Sequence, residues 1–260
     1  MKKLLYTILA GLAMLILAAC GRDNATPNVQ STPEIDLLDI GDIINFGGID
    51  WRVLNIQSDR TLVISQYILE LRAFHDTLET TTWEHSDIRY YLNNEFINRF
   101  TPDEMERILQ TTLNNKNNPW FSTEGGNDTT DKIFLLSLEE LVRYFGDSGE
   151  LANRRYEHSW GFADEYGVER VAYTLPDVEL TKEWRYSPPS ASFAWWLRSP
   201  GAINDDMIAD NTPRATWGHV DRAYVFAGSF VAPEESGIVD VNGVYATKIL
   251  GVRPALWLER

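Results

Sequence analysis

Hydrophobic positions change period several times along this chain, and each change marks an element. Between Asp42 and Ser65 the apolar residues come in short β-branched runs: Asp42-Ile43-Ile44-Asn45-Phe46, Trp51-Arg52-Val53-Leu54-Asn55-Ile56 and Thr61-Leu62-Val63-Ile64-Ser65, the first two separated by Gly47-Gly48. That pattern predicts a three-stranded meander with short turns. From Ser86 the period becomes helical, because Ile88, Tyr91, Leu92 and Phe96 or Ile97 fall on one stripe, with Ser86 as the N-cap and an end near Arg99. Thr101-Pro102-Asp103-Glu104 supplies an N-cap, a proline at the first helical position and a glutamate at the third, the signature of a second helix start. Ile133 to Leu136 is a short apolar strand, and Ser137-Leu138-Glu139-Glu140 opens a third helix that ends at Gly146. From Asp147 to Pro189 the periodicity fades, which predicts long loops with short elements.

The most demanding stretch is Trp195-Trp196-Leu197-Arg198-Ser199-Pro200-Gly201. In a strand, Trp195, Leu197 and Ser199 point to one face and Trp196 and Arg198 to the other, so both faces must be covered. Gly251-Val252-Arg253-Pro254-Ala255-Leu256-Trp257-Leu258 repeats the design, with Arg253 and Trp257 opposite Val252, Leu256 and Leu258. We expect these to be two strands of one sheet and Trp195, Trp196, Arg198 and Arg253 to be structural, each arginine finding an internal carboxylate and backbone carbonyls. Tyr224 to Phe226 and Phe230-Val231 are further strand candidates, and Asn242-Gly243 is a hairpin signal.

Composition and charge add the setting. Met1-Lys2-Lys3 followed by an apolar run from Leu4 to Ala19 has the layout of a secretory signal, too short for a durable membrane span. Leu17-Ala18-Ala19-Cys20 resembles the lipobox of bacterial lipoproteins, which implies cleavage after Ala19 and lipidation at Cys20. Cys20 is the chain's one cysteine, so no intramolecular disulfide can form. The expected organisation is a signal peptide over 1–19, a lipid attachment site and polar tether over 20–40, and one globular domain over 41–260. Its expected place is the extracytoplasmic face of the cell membrane, held by the lipid anchor. A net charge of −15, or near −17 once Lys2 and Lys3 are removed, disfavours nucleic acid as a partner.

Four blocks carry a resemblance across most of the chain: Trp83 to Asn93, Ile133 to Ser137, Trp195 to Gly201 and Gly251 to Leu256. In this order they resemble a bacterial family described only as a domain of unknown function, whose members are often surface-exposed or lipid-anchored. The pairing of a Trp-Trp-Leu-Arg-Ser strand with a terminal Gly-Val-Arg-Pro strand is also similar to the C-type-lectin-like fold of formylglycine-generating enzymes and bacterial binding proteins. That resemblance implies an α+β domain with a mainly antiparallel twisted sheet, flanking helices and long loops, and a ligand surface near the C-terminal strands. An unrelated mixed sandwich is the alternative fold.

Catalytic signatures are thin. The active-site cysteines of formylglycine-generating enzymes are missing here, and His75, His85, His158 and His219 have no metal-ligand spacing. Asn204-Asp205-Asp206, with Asp210 and Asn211, offers oxygen ligands hard enough for calcium, but the calcium motifs of sugar-binding lectins are absent, so no cofactor is expected. The expectation is a non-catalytic surface lipoprotein that recognises a glycan, peptide or protein; the alternatives are a cell-envelope hydrolase using carboxylates or a structural surface protein. The expected ligand surface is the loop from Ala202 to Arg222, with Asn204, Asp205, Asp206, Trp217, His219 and Asp221 as candidates. The competing reading has Trp217 folded back onto the core while the acidic residues face water.

Overall fold

A computed structural model describes residues 38–156, 159–176, 178, 192–204, 219–226 and 237–260. The predicted meander is β1 (Ile43–Phe46), β2 (Ile49–Ile56) and β3 (Arg60–Ser65), paired antiparallel in sequence order. Gly47 and Gly48 turn between the first two with φ of 61° and 71°, a backbone region that glycine enters without steric cost. After β3 the chain leaves for a second sheet through β4 (Glu70–Arg72).

Three helices follow their capping signals. α1 (Asp87–Asn94) begins where Ser86 Oγ accepts from Arg89 N, and it buries Ile88, Tyr91 and Leu92. It stops at Asn94, short of the expected end, and Phe96–Arg99 continues as a 3-10 turn that buries Phe96. α2 (Pro102–Arg107) carries the full capping box between Thr101 and Glu104. Short strands β5 (Ile108–Leu109), β6 (Thr111–Leu113), β7 (Thr129–Asp131) and β8 (Ile133–Phe134) lead to α3 (Leu138–Phe145), whose box joins Ser137 and Glu140. β9 (Gly161–Phe162) and the single turn α4 (Gly167–Arg170) are the short elements among the long loops.

The remaining strands are β10 (Trp195–Asn204), β11 (His219–Phe226), β12 (Ile238–Val244), β13 (Leu250–Val252) and β14 (Ala255–Glu259). Two six-stranded sheets result. In one the order is β1-β2-β3-β14-β5, with β8 also pairing β14; in the other it is β4-β13-β10-β11-β12-β9. Among the described strands every pairing is antiparallel except that of β10 with β13, where Trp195 lies opposite Gly251. β6 and β7 form a separate two-stranded ribbon. The architecture is α+β, mainly antiparallel, around one hydrophobic cluster that includes Trp51, Trp83, Trp195 and Trp196, all with no exposed surface.

Three expectations need correction. The C-terminal stretch is two strands in two sheets: β13 sits beside β10, while β14 belongs with the meander. Pro254 explains the break, since it has no N–H for a ladder and constrains Arg253 before it. The predicted loop from Ala202 to Arg222 is shorter, because β10 runs to Asn204 and β11 starts at His219, with these two residues opposite each other. Asn242-Gly243 is no hairpin tip but lies inside β12, where Gly243 adopts φ of 88° beside a register shift against β11.

Candidate functional site

The residues singled out from sequence fall into three groups. Cys20, Asp205, Asp206, Trp217, Asp210, Asn211, His158 and the Phe230-Val231 strand candidate lie outside the described residues. For Asn204, His219 and Asp221 the backbone is placed on β10 and β11, at or near the end of that strand pair. The four motif residues Trp195, Trp196, Arg198 and Arg253 are buried. Their polar atoms are spent on the fold: Trp195 Nε1 donates to Arg170 O at 3.0 Å and Trp196 Nε1 to Arg72 O at 2.9 Å.

Arg198 has the internal carboxylate expected of it. Its guanidinium grips Glu140 through both terminal nitrogens, with Nη2 to Oε1 at 3.0 Å, and also donates to Asn115 Oδ1 and Leu135 O. Glu140 is at the same time the capping glutamate of α3, accepting from Ser137 N at 2.9 Å. Burial pushes the Glu140 carboxyl up, but the Arg198 charge and hydrogen bonds outweigh it and hold the group below its ordinary value. Ser199 Oγ accepts from Leu138 N at 2.9 Å, so β10 docks the start of α3 with two consecutive side chains. Arg253 has no carboxylate partner among the described residues: Nε donates to Ser65 O, and the guanidinium lies 5.1 Å from the Trp195 ring centre. Burial, with some help from the Arg52 charge, lowers this group to about 9.

An open cleft lies elsewhere, along the flank of α1 turned away from the core. It has a volume of about 520 Å³ and is walled by the segment from Glu84 to Ile97 on one side and by Gln110 and Thr130 to Lys132 on the other. Ser86, Tyr90, Asn93 and Ile97 share this flank because they recur at helical spacing. The cleft's floor is densely hydrogen-bonded. Asp131 is buried and accepts three hydrogen bonds, from Arg89 Nε at 2.7 Å, Trp83 Nε1 at 2.9 Å and Thr129 Oγ1 at 2.8 Å. Asn93 ties α1 to the start of β8: its Oδ1 accepts from Lys132 N and Ile133 N, while its Nδ2 donates to Ile133 O at 2.8 Å and Arg89 O at 3.1 Å.

The rim is exposed and mixed in character. Tyr90 is 63% exposed, the His85 side chain 72%. Glu84 Oε2 accepts from Asn127 Nδ2 at 2.9 Å and lies 3.5 Å from His85 Nε2. Asp87 also lines the cleft, with Oδ2 at 2.7 Å from His75 Nδ1 and accepting from Asp76 N at 2.8 Å. Among the described residues no three His, Cys, Asp or Glu side chains converge as metal ligands, and no helix is long and apolar enough to cross a membrane. None of the cleft residues was a site candidate from sequence. The available signal was Tyr90 itself, a large aromatic off the apolar stripe of an amphipathic helix.

A mixed, mainly antiparallel α+β domain with an open polar cleft beside its first helix is thus the class of molecule at hand. The chain belongs to the family described as "Domain of unknown function (DUF6273)", whose model matches residues 58–260. No curated protein and no solved structure matches the chain.

Proposed function

We propose that this protein is a non-catalytic lipoprotein, anchored through Cys20 at the extracytoplasmic face of the cell membrane, whose domain recognises a glycan, peptide or protein. The observation that carries this reading is the cleft along α1. Its one deeply buried carboxylate, Asp131, is held by three donors, including the Arg89 cation. Its oxygens are spent on the wall and its side chain is 1% exposed, so it has little surface to offer a reacting group. A densely hydrogen-bonded polar floor beneath an exposed rim instead suits recognition, where groups held in place lose little entropy on binding.

The β10–β11 connection remains part of the proposal, with Asn204, Asp205, Asp206, Trp217, His219 and Asp221 as a second contact surface. We also keep the C-type-lectin-like fold as a proposal. Its premise was that the Trp-Trp strand and the C-terminal strand share a sheet; Leu250–Val252 supports it and Ala255–Glu259 does not.

The test is a binding screen of the whole protein against envelope glycans, peptides and host proteins, run beside turnover assays on the same materials. Saturable binding without turnover is expected. Turnover abolished by changing a single acidic residue would replace this reading with that of an envelope hydrolase.

A further inference from the structure

The cleft along α1 also narrows the kind of ligand, and this step rests on the recognition reading above. Charges of both signs line the wall. Arg89 is bound to Asp131, Glu84 has His85 beside it, Asp87 faces His75, and Lys132 Nζ donates to Met105 O at 2.6 Å. With both signs interspersed, no single-sign field draws a strongly charged ligand to it. An apolar ligand would strip water from the polar rim and return no hydrogen bonds, a net cost.

The rim also presents one aromatic face together with the uncharged hydrogen-bonding groups of Gln110 and Thr130. Tyr90 is 63% exposed, and among the described residues its ring stacks on no other aromatic or cationic side chain. Gln110 and Thr130 line the same cleft and are exposed. A sugar ring is the chemical complement of this pattern: its C–H face packs on an aromatic ring while its hydroxyls both donate to and accept from amides and hydroxyls. The volume of about 520 Å³ lies in the range of small-ligand sites, about 300–1,000 Å³.

We propose that this cleft binds an uncharged oligosaccharide, with one sugar ring lying on Tyr90 and its hydroxyls meeting Gln110, Thr130 and the open oxygen of Glu84. Tyr90 is the specificity-setting contact. Its exposure means that the fold does not depend on it.

The test titrates the full-length protein with a panel of neutral oligosaccharides, including cellohexaose, xylohexaose, chitohexaose and mannohexaose, with a sulfated oligosaccharide and a set of peptides as further arms. At least one neutral glycan should bind, with little dependence on salt. Tyr90→Ala should weaken it by about tenfold or more, Tyr90→Phe by no more than about twofold, and neither should change the melting temperature. Absence of binding across the neutral panel overturns the proposal, as does binding that Tyr90→Ala leaves intact. Salt-sensitive binding of the sulfated glycan alone overturns it too. Binding of a peptide without any neutral glycan overturns the glycan assignment yet leaves the recognition reading standing. Hydrolysis of a bound glycan would instead end the non-catalytic reading and keep the site.

Discussion

Arg253 Nε donates to the carbonyl oxygen of Ser65 at 2.8 Å, joining two positions 188 residues apart in the chain. Both stand where the polypeptide passes from one sheet to the other: Ser65 closes β3 before β4, and Arg253-Pro254 separates β13 from β14. Ser65 N donates back to Pro254 O at 2.9 Å, so the two crossings are laced together. The Arg253 guanidinium is buried with Trp195 and Phe145 on it, at 5.1 and 5.5 Å from the ring centres. Its Nη1 has no hydrogen-bond partner among the described residues.

That arrangement makes Arg253 chiefly a packing element. Arg253→Ala should destabilise the protein by about 3–5 kcal/mol, the range for emptying a large buried side chain. Arg253→Met should recover most of the loss, because it refills the space between the rings and removes an unpaired buried cation that is itself costly. Urea denaturation of both variants checks the order. If the methionine variant is as unstable as the alanine one, the bond to Ser65 holds the crossing and the packing account is wrong.

Glu140→Gln removes the charge that both Arg198 and the α3 cap rely on. Breaking a buried pair leaves an uncompensated charge, and the expected loss near neutral pH is about 3 kcal/mol. Because the Glu140 carboxyl is held below its ordinary value of 4.5 when folded, its stabilisation is fully present above that value. It is lost as pH falls through the lower, folded value. The gap between wild type and variant should therefore narrow on acidification below 4.5, measured by denaturant unfolding across that window. A gap independent of pH would contradict the ionised pairing.

Gly251→Ala tests the parallel junction of the two motif strands. Gly251 N donates to Ala194 O at 2.8 Å, and a Cβ there would stand 2.9 Å from that same backbone oxygen and 2.9 Å from the Ile68 side chain. The strands must separate to admit it, at an expected cost of about 1–3 kcal/mol. A thermal melt unchanged from wild type would show that this junction has slack.

What the sequence made legible was local. The boxes at Thr101 and Ser137 are legible because each closes within four residues, and the Trp-Trp strand because no other element hides two adjacent indoles. The sheet change at Arg253-Pro254 was signalled by the proline, but the regular spacing of apolar residues around it spoke for a single strand. The cleft along α1 was illegible for a different reason. Its second wall, Gln110 and Thr130 to Lys132, is brought there by the pairing of β5 and β8 with β14, a contact between residues more than a hundred positions apart that no local pattern encodes.

Cys20→Ala should abolish lipidation, so the protein is released from the membrane fraction or persists as an unprocessed precursor. Fractionation and electrophoretic mobility read this directly. A variant that partitions and migrates like the wild type would end the lipoprotein proposal.

Asn93→Asp probes how the cleft is held together. The substitution keeps the shape and the oxygen that accepts from Lys132 N and Ile133 N. It replaces the amide nitrogen, which donates to Ile133 O and Arg89 O, by a second oxygen with no proton. Two carbonyl oxygens would then face a carboxylate. Asn93→Ala also loses these bonds but adds no charge, so the expected order of stability near neutral pH is wild type, then Asn93→Ala, then Asn93→Asp, with the last about 2–4 kcal/mol down. The pH dependence has a definite sign. The introduced carboxyl is disfavoured in its charged form, so its folded value lies above that of an ordinary Asp, about 3.9. Its penalty is complete above the folded value and disappears as pH falls through it. Unfolding measured near neutrality and again at about pH 4 should bring Asn93→Asp up toward Asn93→Ala, since a protonated carboxyl donates one of the two lost bonds. An aspartate variant as stable as wild type at neutral pH would mean that the amide nitrogen does not hold α1 against β8, and that the cleft floor has another support.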